Sequence, residues 1–331
     1  MRILSDYHHG SLYYSLHLLF QERLGWELYS PVGLDWFHAG YWRQAEPYGN
    51  NPGTVRQFLG EEHGEWRGDG FWYAYEPHNG FWRRGLTLEM FRQMPFDVVL
   101  SSHPSNDVPF ARLVREVQPK ARHVGQIGNP WQGTVAMNVL ASAFPAYVPP
   151  GAQVVFYHQE FPLALFSPAA ESQMQIVNFV HLHPERETFE AYRQAMPEFT
   201  FRSYGIGCQD GILSGLARIA ETMRQSRFGW HLKPAGEGYG HILHNWLACG
   251  RPVIVKRSHL QHTVSRDLFV HGQNCIDLER VTQEEAMRLI RKMAEPEEHA
   301  RLTFENAARF RAAVNFAEEA ERIRRFLERL I

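Results

Sequence analysis

A glycine-rich segment in the last third of the chain constrains the fold most. A strand-like apolar run at 228–232 leads into a turn with three glycines, and a helical run at 241–248 follows. Gly250 and Pro252 stand directly after that run, where glycine and proline commonly end a helix. A second apolar run, which ends at Ile254, completes the pattern of strand, turn, helix and strand. Because parallel strands need a helical crossover of this kind, the segment predicts a parallel α/β sheet.

The same alternation runs through most of the chain and predicts two domains. The 331 residues are enough for two domains of ordinary size, each with its own core. We place the boundary near 165–172 and predict Rossmann-like domains at 1–168 and 169–331. The other predicted strands are 2–5, 26–29, 96–100, 123–127, 153–158, 176–181 and 200–204, and the other predicted helices are 12–20, 108–117, 135–143, 187–195 and 213–224.

Residues 32–95 interrupt this alternation. They are rich in Gly, Trp, Tyr and His and contain few long periodic runs. We interpret them as an aromatic-rich insertion that lies over the sheet of the first domain. Packing is the more common role of aromatic side chains, so most of them are expected in a core or an interface.

The tail from 282 to 331 is predicted to be helical. Near its end, apolar residues recur at i, i+3, i+4 and i+7, namely Ile323, Phe326, Leu327 and Leu330. An apolar stripe of this kind must pack on another element. We therefore expect the C-terminal helices to cross back to the first domain.

Charge and cysteine usage narrow the class of protein. Lys and Arg total 34 against 36 Asp and Glu, and this balance argues against a dedicated nucleic-acid binder, which neutralises phosphates. Cys208, Cys249 and Cys275 form no CxxC pair, as is typical of reduced intracellular proteins. No apolar run approaches the roughly 20 residues that span a bilayer, and the N-terminal run is too short for a signal peptide. We expect a soluble, cytoplasmic protein.

The glycine-rich turn has the chemistry of an anion site. Gly238 and Gly240 leave backbone N–H groups unobstructed at the start of the predicted helix. Free N–H groups and the helix dipole favour an anion such as a diphosphate at that end. Glu237 directly precedes them and can accept hydrogen bonds from sugar hydroxyls. The alternative is an ordinary strand-to-helix turn without a ligand.

This segment resembles the donor-site signature of GT-B glycosyltransferases, in particular the retaining family with a Glu-x7-Glu motif (glycosyltransferase family 4-like, group 1). A second stretch, 269–278, resembles the Gly-x-Asn-Gly stretch that follows in that family. The residues that match in register are Glu237, Gly238, Tyr239 (for Phe), Gly240, Ala248, Cys249, Gly250, Pro252, Val253 and Ile254.

The resemblance implies an α/β, GT-B fold, in which two Rossmann-like domains with parallel sheets face a central cleft. It implies a hexosyltransferase-like enzyme that moves a sugar, with retention, from a UDP- or GDP-sugar to a hydroxyl of a small-molecule, glycan or lipid-linked acceptor. No cofactor or metal is required in such enzymes. Two alternatives remain: action on modified DNA bases, as in some phage enzymes of this fold, and a nucleotide-binding protein without turnover.

The resemblance also implies roles for single residues. Glu237 would contact the hydroxyls of the donor sugar, and the backbone of Tyr239 and Gly240 would lie beside the phosphates. The second Glu of the family motif, which holds the ribose, falls on Asn245, an uncharged residue that still forms hydrogen bonds.

The chain departs from the family where a basic pair usually neutralises the diphosphate. After the first strand of the second domain it has His181-Leu-His183-Pro-Glu-Arg186 instead of that pair. The candidates to replace the pair are Arg186, Arg227, Lys233 and Lys256.

In the first domain, the loop at 6–10 occupies the place from which GT-B enzymes approach the sugar. Gly10 allows close approach to the backbone. His8 or His9 is a candidate general base toward the acceptor hydroxyl, because imidazole titrates near neutral pH; the alternative is a solvated pair. His103 and Asp107 are further candidates because ligands gather at the carboxyl ends of parallel strands, although Asp107 is better explained as a helix cap.

The 18 histidines raise the question of a metal. His181 and His183 point to one face of a strand, and His241 and His244 to one face of a helix. Neither pair has a third ligand close in sequence, so we predict no metal site.

Overall fold

The structure, a computed structural model, describes residues 1–7, 9–44, 51–59 and 63–331, apart from the side chain of Phe58. His8 lies outside the described residues. The chain forms two compact units. The first unit is Met1–Phe161 together with Phe316–Ile331, and the second unit is Pro162–Asn315. The chain thus enters the second unit a few residues before the predicted boundary.

The first unit contains a sheet with the strand order β3-β4-β5-β2-β1-β6-β7-β8-β9. From β2 to β9 the neighbouring strands are parallel. The strands are β1 Arg2–Ser5, β2 Glu27–Pro31, β3 Gly64–Trp66, β4 Trp72–Glu76, β5 Phe81–Leu86, β6 Val98–Ser101, β7 Arg122–Ile127, β8 Asn138–Ala141 and β9 Gln153–Phe156.

Helices cover both faces of this sheet. Successive residues of β1 point to opposite faces, so that Ile3 belongs to one apolar core and Leu4 to the other. The helices of the unit are α1 Gly10–His17, α2 Asp35–His38, α3 Pro52–Leu59, α4 Leu88–Gln93, α5 Pro104–Val117 and, from the end of the chain, α11 Phe316–Glu328; the π-helical turn Leu18–Arg23 continues α1.

The last helix confirms that the C-terminal stripe packs on the first unit. Ile323, Phe326 and Leu327 of α11 are buried in the same core as Ile3 and Leu16. The two helices before α11 remain with the second unit. Only the final part of the helical tail therefore crosses back.

Two predictions for the first unit are wrong. The part of the insertion at 64–86 does not lie over the sheet but extends its edge as the antiparallel strands β3, β4 and β5, and β5 then pairs in parallel with β2. Cross-strand aromatic pairs such as Tyr75 and Trp82 stabilise this edge. The predicted helix at 135–143 is instead β8, because its short apolar run is buried between β7 and β9.

The second unit has a parallel sheet with the strand order β11-β10-β12-β13-β14, as the alternation in the sequence predicts. Its strands are β10 Gln173–Asn178, β11 Thr200–Ser203, β12 Ser226–His231, β13 Val253–Val255 and β14 Cys275–Asp277. Its helices are α6 Arg186–Ala195, α7 Leu216–Gln225, α8 His241–Ala248, α9 Gln283–Ala294 and α10 Pro296–Ala313.

The turn after α8 is locked against α10. Gly250 has a φ of +72°, and a Cβ atom there would lie 1.9 Å from the carbonyl oxygen of Thr303, so only glycine fits. The next residue, Arg251, is fully buried and donates to His299 Nε2 at 2.6 Å and to Thr303 Oγ1 at 2.9 Å. Its Nη2 donates to the backbone carbonyls of Ala169, Glu171 and Arg224. These contacts fix α8, which begins at the candidate site.

Candidate functional site

The candidate site lies at the carboxyl end of β12, where the glycine-rich turn leads into α8. Gly236 and Gly240 have φ values of +86° and +76°, in the left-handed region that favours glycine. A Cβ atom on Gly240 would lie 2.9 Å from Cγ of Glu237 and 3.0 Å from Cδ1 of Leu243. The backbone therefore passes directly against the Glu237 side chain, and glycine is needed there for space as well as for conformation.

The Glu237 carboxylate is enclosed by hydrogen-bond donors. The residue is only 7% exposed. Its Oε2 lies 2.7 Å from His231 Nε2, and its Oε1 lies 2.9 Å from Lys233 Nζ and 3.0 Å from the backbone N of Gly238. The backbone N of Glu237 donates to the carbonyl oxygen of His259 at 2.8 Å, which ties the turn to the segment after β13.

These partners determine the charge of Glu237. Burial alone would raise the pKa of this carboxyl, but His231 and Lys233 outweigh it and lower the pKa to about 2. The ionised carboxylate only accepts hydrogen bonds, and it offers about four acceptor positions. Three are in use among the described residues.

Tyr239 and Asn245 are both buried. The Tyr239 ring stacks on His244 with the centroids 4.1 Å apart, and its carbonyl oxygen accepts from Thr263 Oγ1 at 2.9 Å. The ring and the carbonyl oxygen thus both anchor the turn. Asn245 lies in α8 and its side chain is buried. Its Oδ1 has no hydrogen-bond partner among the described residues. Its role toward a ribose stays a prediction.

The basic candidates separate into two places. Lys233 follows β12, Lys256 follows β13, and Arg186 begins α6 after β10, so all three lie at the carboxyl edge of the second sheet. Lys256 Nζ is 2.6 Å from Glu185 Oε1 at that edge. Arg227 instead is the second residue of β12, at the opposite edge, where it donates to the carbonyl oxygen of Ala294 at 2.7 Å. The structure does not bring Arg227 to Glu237.

In the first unit, Asp6 fixes the loop after β1. It is buried and accepts hydrogen bonds from Ser102 N and Oγ, both at 2.6 Å, from His103 N at 3.0 Å and from Asn106 Nδ2 at 3.0 Å. Burial raises the pKa of Asp6 in spite of these bonds. The loops after β1 and β6 are thereby held together at the carboxyl edge of the sheet.

The histidine candidates lie in or directly after the loops that follow β1 and β6. His9 is exposed and immediately precedes α1, which begins at Gly10. His103, and not Asp107, caps α5, since its Nδ1 accepts from Ser105 N at 3.1 Å. Asp107 lies in the first turn and accepts from Ser101 Oγ at 2.6 Å and from the backbone N of Val135 at 2.6 Å. Capping by Asp107 was therefore the wrong prediction; the residue braces the α5 turn against β6 and the 133–137 segment.

The structure adds one acidic residue that the sequence did not indicate. Glu76, at the end of β4, accepts a hydrogen bond from Tyr7 Oη at 2.8 Å. The buried Arg83 holds its other oxygen at 3.1 Å and stacks on the Tyr7 ring at 4.3 Å. Glu76 and Tyr7 are 69 positions apart in the sequence. Their contact depends on how the insertion folds, so the sequence alone did not place this carboxylate beside the 6–10 loop.

Within the described ranges, the chain has neither a metal-binding cluster nor a membrane-spanning helix. No group of three or more His, Cys, Asp or Glu side chains is placed to hold a metal ion in this part of the chain. No helix among the same residues combines the length and the apolar character needed to cross a membrane.

Two α/β units with parallel sheets, and a glycine-rich turn that leads into a helix of the second unit, define the GT-B class of fold. No family model and no curated protein sequence matches the chain. Solved structures do match over its whole length. HepE from Anabaena in complex with UDP and glucose has a TM-score of 0.63 at 12% identity, over 99% of both chains.

Two further solved structures agree with this match. Sucrose-phosphate synthase from Thermosynechococcus elongatus has a TM-score of 0.57 at 12% identity, over 100% of this chain and 99% of the other. An α-glucosyltransferase in complex with UDP-glucose and DNA containing an abasic site has a TM-score of 0.60 at 10% identity, over 99% of both chains. The chain has the GT-B fold of glycosyltransferases, and the fold predicted from its sequence is confirmed.

Proposed function

We propose that the protein is a glycosyltransferase that moves a sugar from a nucleoside diphosphate sugar to a hydroxyl acceptor. The observation that carries the proposal is the ionised, buried carboxylate of Glu237 at the threshold of α8, beside Lys233. The GT-B fold and the matched donor-site signature support it. Since similar structures hold UDP, glucose or UDP-glucose, UDP-glucose is the first donor to test, with GDP-sugars next.

The amino end of α8 is the proposed place for the diphosphate. The first backbone N–H groups of a helix lack partners within the helix, and the helix dipole adds positive potential there. Lys233 Nζ adds a full charge, and its side chain is 33% exposed, so it can reach a ligand. Lys256 and Arg186 lie at the same edge and complete the proposed replacement for the basic pair of the family.

In the proposed reaction the bond between the anomeric carbon and the diphosphate oxygen breaks, and a bond to the acceptor oxygen forms. The electron pair leaves with the diphosphate, whose growing charge is stabilised by α8 and Lys233. The acceptor hydroxyl loses its proton to a base. Glu237 accepts a hydrogen bond from one donor-sugar hydroxyl and so orients the ring. The family resemblance favours retention of configuration.

The acceptor side is proposed for the first unit. His9 lies in the 6–10 loop and Glu76 contacts that loop through Tyr7, so both are candidates for the base. Gly10 permits the donor or the acceptor to approach the backbone closely. His103 uses Nδ1 as a helix cap, so this nitrogen is not available as the base. The proposed acceptors are small-molecule, glycan or lipid-linked hydroxyls.

The experiment that tests this function is a turnover assay with several donors and acceptors, with EDTA present. We expect release of the nucleoside diphosphate from at least one sugar donor and a loss of about 100-fold or more in kcat/KM for Glu237→Gln, which removes the charge at the same size. Glu284→Gln, an exposed carboxylate on α9, is the matched control and should leave kcat/KM unchanged.

The same assay separates the alternatives. DNA with hydroxymethylated bases belongs among the acceptors, because one protein of similar fold is solved with DNA. Nucleotide binding without turnover of any donor would contradict the proposed enzyme and support a binding protein. Full activity of Glu237→Gln would show that the donor site lies elsewhere.

A further inference from the structure

His231, which no motif singled out, contacts Glu237 directly. It is the last residue of β12, is 4% exposed, and places Nε2 2.7 Å from Glu237 Oε2. The other ring nitrogen, Nδ1, is buried without a hydrogen-bond partner among the described residues. Burying an imidazole is unfavourable unless its polar atoms are satisfied. Among the residues that the structure describes, the contact to Glu237 is therefore the one polar interaction of the His231 ring. This contact accounts for a histidine at position 231.

The strand geometry explains why two donors reach the same carboxylate. Residues i and i+2 of an extended chain point to the same side, so His231 and Lys233 both face the turn that carries Glu237. β12 is an interior strand that pairs with β10 and β13, and the neighbouring Trp230 is fully buried in the core. His231 is thus held at the end of an interior strand of the sheet.

The two donors differ in what else they can do. Lys233 binds Oε1, but its side chain is one-third exposed and carries further N–H groups that can turn to a phosphate. His231 binds Oε2 from a buried position. When Lys233 turns to a donor, His231 and the Gly238 backbone remain to hold the carboxylate.

Resting on the proposed function, we propose that His231 is a positioning residue, which holds the Glu237 carboxylate toward the donor sugar and so frees Lys233 for the diphosphate. His231 itself touches neither the sugar nor the phosphate. The assignment extends the donor site by one residue to which the family signature gives no role.

Three parts of the second unit face Glu237: β12 with the residues after it, the helical turn Arg257–Leu260, and the start of α8. His231 and Lys233 come from β12 and the residues after it. His259 comes from the helical turn Arg257–Leu260, and its Nδ1 accepts from the backbone N of Lys233 at 3.0 Å. Burial, together with the nearby Lys256, lowers the pKa of His259, so this ring is neutral at physiological pH. From α8 only neutral groups face the carboxylate, through Gly240 and Leu243. Among the described residues, loss of His231 therefore leaves Lys233 as the one side-chain donor to a buried carboxylate.

A double-mutant cycle of His231→Leu and Glu237→Gln tests the contact without any donor. Leucine keeps the apolar bulk and removes the donor. We expect His231→Leu to reduce the folding equilibrium constant at least about tenfold more in the native background than in the Glu237→Gln background, as residues in direct contact couple. Equal effects in both backgrounds would overturn the proposal.

Kinetics then separate positioning from simple structural support. With the donor that the native protein uses, His231→Leu should lower kcat/KM about 10- to 100-fold, the usual range for a lost hydrogen bond to a charged group. The acid limb of its pH profile should move to higher pH, because the carboxylate then protonates more readily. His231→Gln, whose amide N–H can reach Oε2, should recover part of the lost kcat/KM and part of the shift in the acid limb.

His299→Leu is the matched control, since it removes another buried histidine of the same unit, on α10. It should lower stability without moving the acid limb. If the native protein is active and His231→Leu keeps its kcat/KM and acid limb, only the positioning role is overturned. If the native protein turns over no donor, the proposed function and the positioning role both fail.

Discussion

The carboxylate of Glu237 combines burial with a full negative charge, and its neighbours make this possible. Two side-chain donors and one backbone N–H hold its two oxygens within 3.0 Å. A buried carboxylate without such partners would take up a proton instead. The same contacts leave an acceptor position for a sugar hydroxyl, so the local structure supports the proposed chemistry.

Gly240 provides a prediction at the scale of single residues. Gly240→Ala places a Cβ atom 2.9 Å from Cγ of Glu237, on a backbone with a φ of +76°. We expect a loss of about 1 to 2 kcal/mol in the free energy of unfolding from the backbone alone, and a displaced Glu237 that lowers kcat/KM about tenfold or more. Urea unfolding and donor turnover measure the two effects.

Gly151→Ala is the matched control for this prediction. Gly151 also has a positive φ, of +80°, but has open space around its position and precedes β9 in the first unit. It should lose a similar amount of stability and keep its kcat/KM. Equal loss of turnover in both variants would show that strain, and not the displacement of Glu237, is responsible.

Part of the site could be predicted at this scale, because glycines and a carboxylate at a strand-to-helix turn have a direct chemical meaning. Glu237 and Gly240 became candidates in that way, whereas Lys233 was one of four basic residues that could replace the pair of the family. His231 and Glu76 were not candidates, since their importance depends on which side chains the fold brings near them. Asp107 was misread for the same reason: its partners in β6 and the 133–137 segment are made by tertiary contacts.

Among the elements, α8 and α10 are joined by a buried cation. Arg251 has no carboxylate partner among the described residues and donates from its two terminal nitrogens to Thr303, His299 and backbone carbonyls. The burial of His299 and the charge of Arg251 together favour the neutral form of His299. Burial, followed by the charge of Arg251, lowers the pKa of His299 from its ordinary value of 6.5 to about 3.

The pH dependence of stability follows from this histidine. Above its ordinary pKa of 6.5, His299 is neutral in the folded and the unfolded chain, so its contribution is fully present. As the pH falls from 6.5 toward 3, only the unfolded chain takes up the proton, and the folded state loses stability. From about pH 7 to about pH 5 we expect a loss of about 2 kcal/mol from this residue alone.

Urea unfolding of the native protein and of His299→Gln at the two pH values measures this loss. Glutamine can accept from Arg251 but does not titrate, so its variant should lose about 2 kcal/mol less on acidification. Part of the pH dependence of stability should remain in both proteins, because four other histidines also have lowered pKa values, namely His78, His123, His183 and His259. The same pH dependence in both proteins would contradict the account.

Elements were predictable where a periodic run was long or bounded by clear signals, as in α8 and in the helices of the tail. β8 was missed because four apolar and polar residues carry no decisive period, and only pairing with β7 and β9 makes them a strand. The edge strands β3 to β5 were missed because their aromatic residues face both sides, which hides the alternation expected of a half-exposed sheet.

For the molecule as a whole, the alternation of strands and helices was enough to predict two α/β units, and the donor-site signature was enough to predict the GT-B fold. The match to solved structures over nearly the whole chain at 10–12% identity shows that this fold persists with little shared sequence. The residues of the first unit that are proposed to meet the acceptor carry no family signature.

The most direct test of the central claim is a crystal structure of the protein with UDP-glucose or, failing that, with UDP. The account predicts the diphosphate at the amino end of α8, within hydrogen-bond distance of its first backbone N–H groups and of Lys233 Nζ, and a sugar hydroxyl on Glu237 Oε2. A nucleotide bound away from α8, with Glu237 still held only by His231, Lys233 and Gly238, would contradict it.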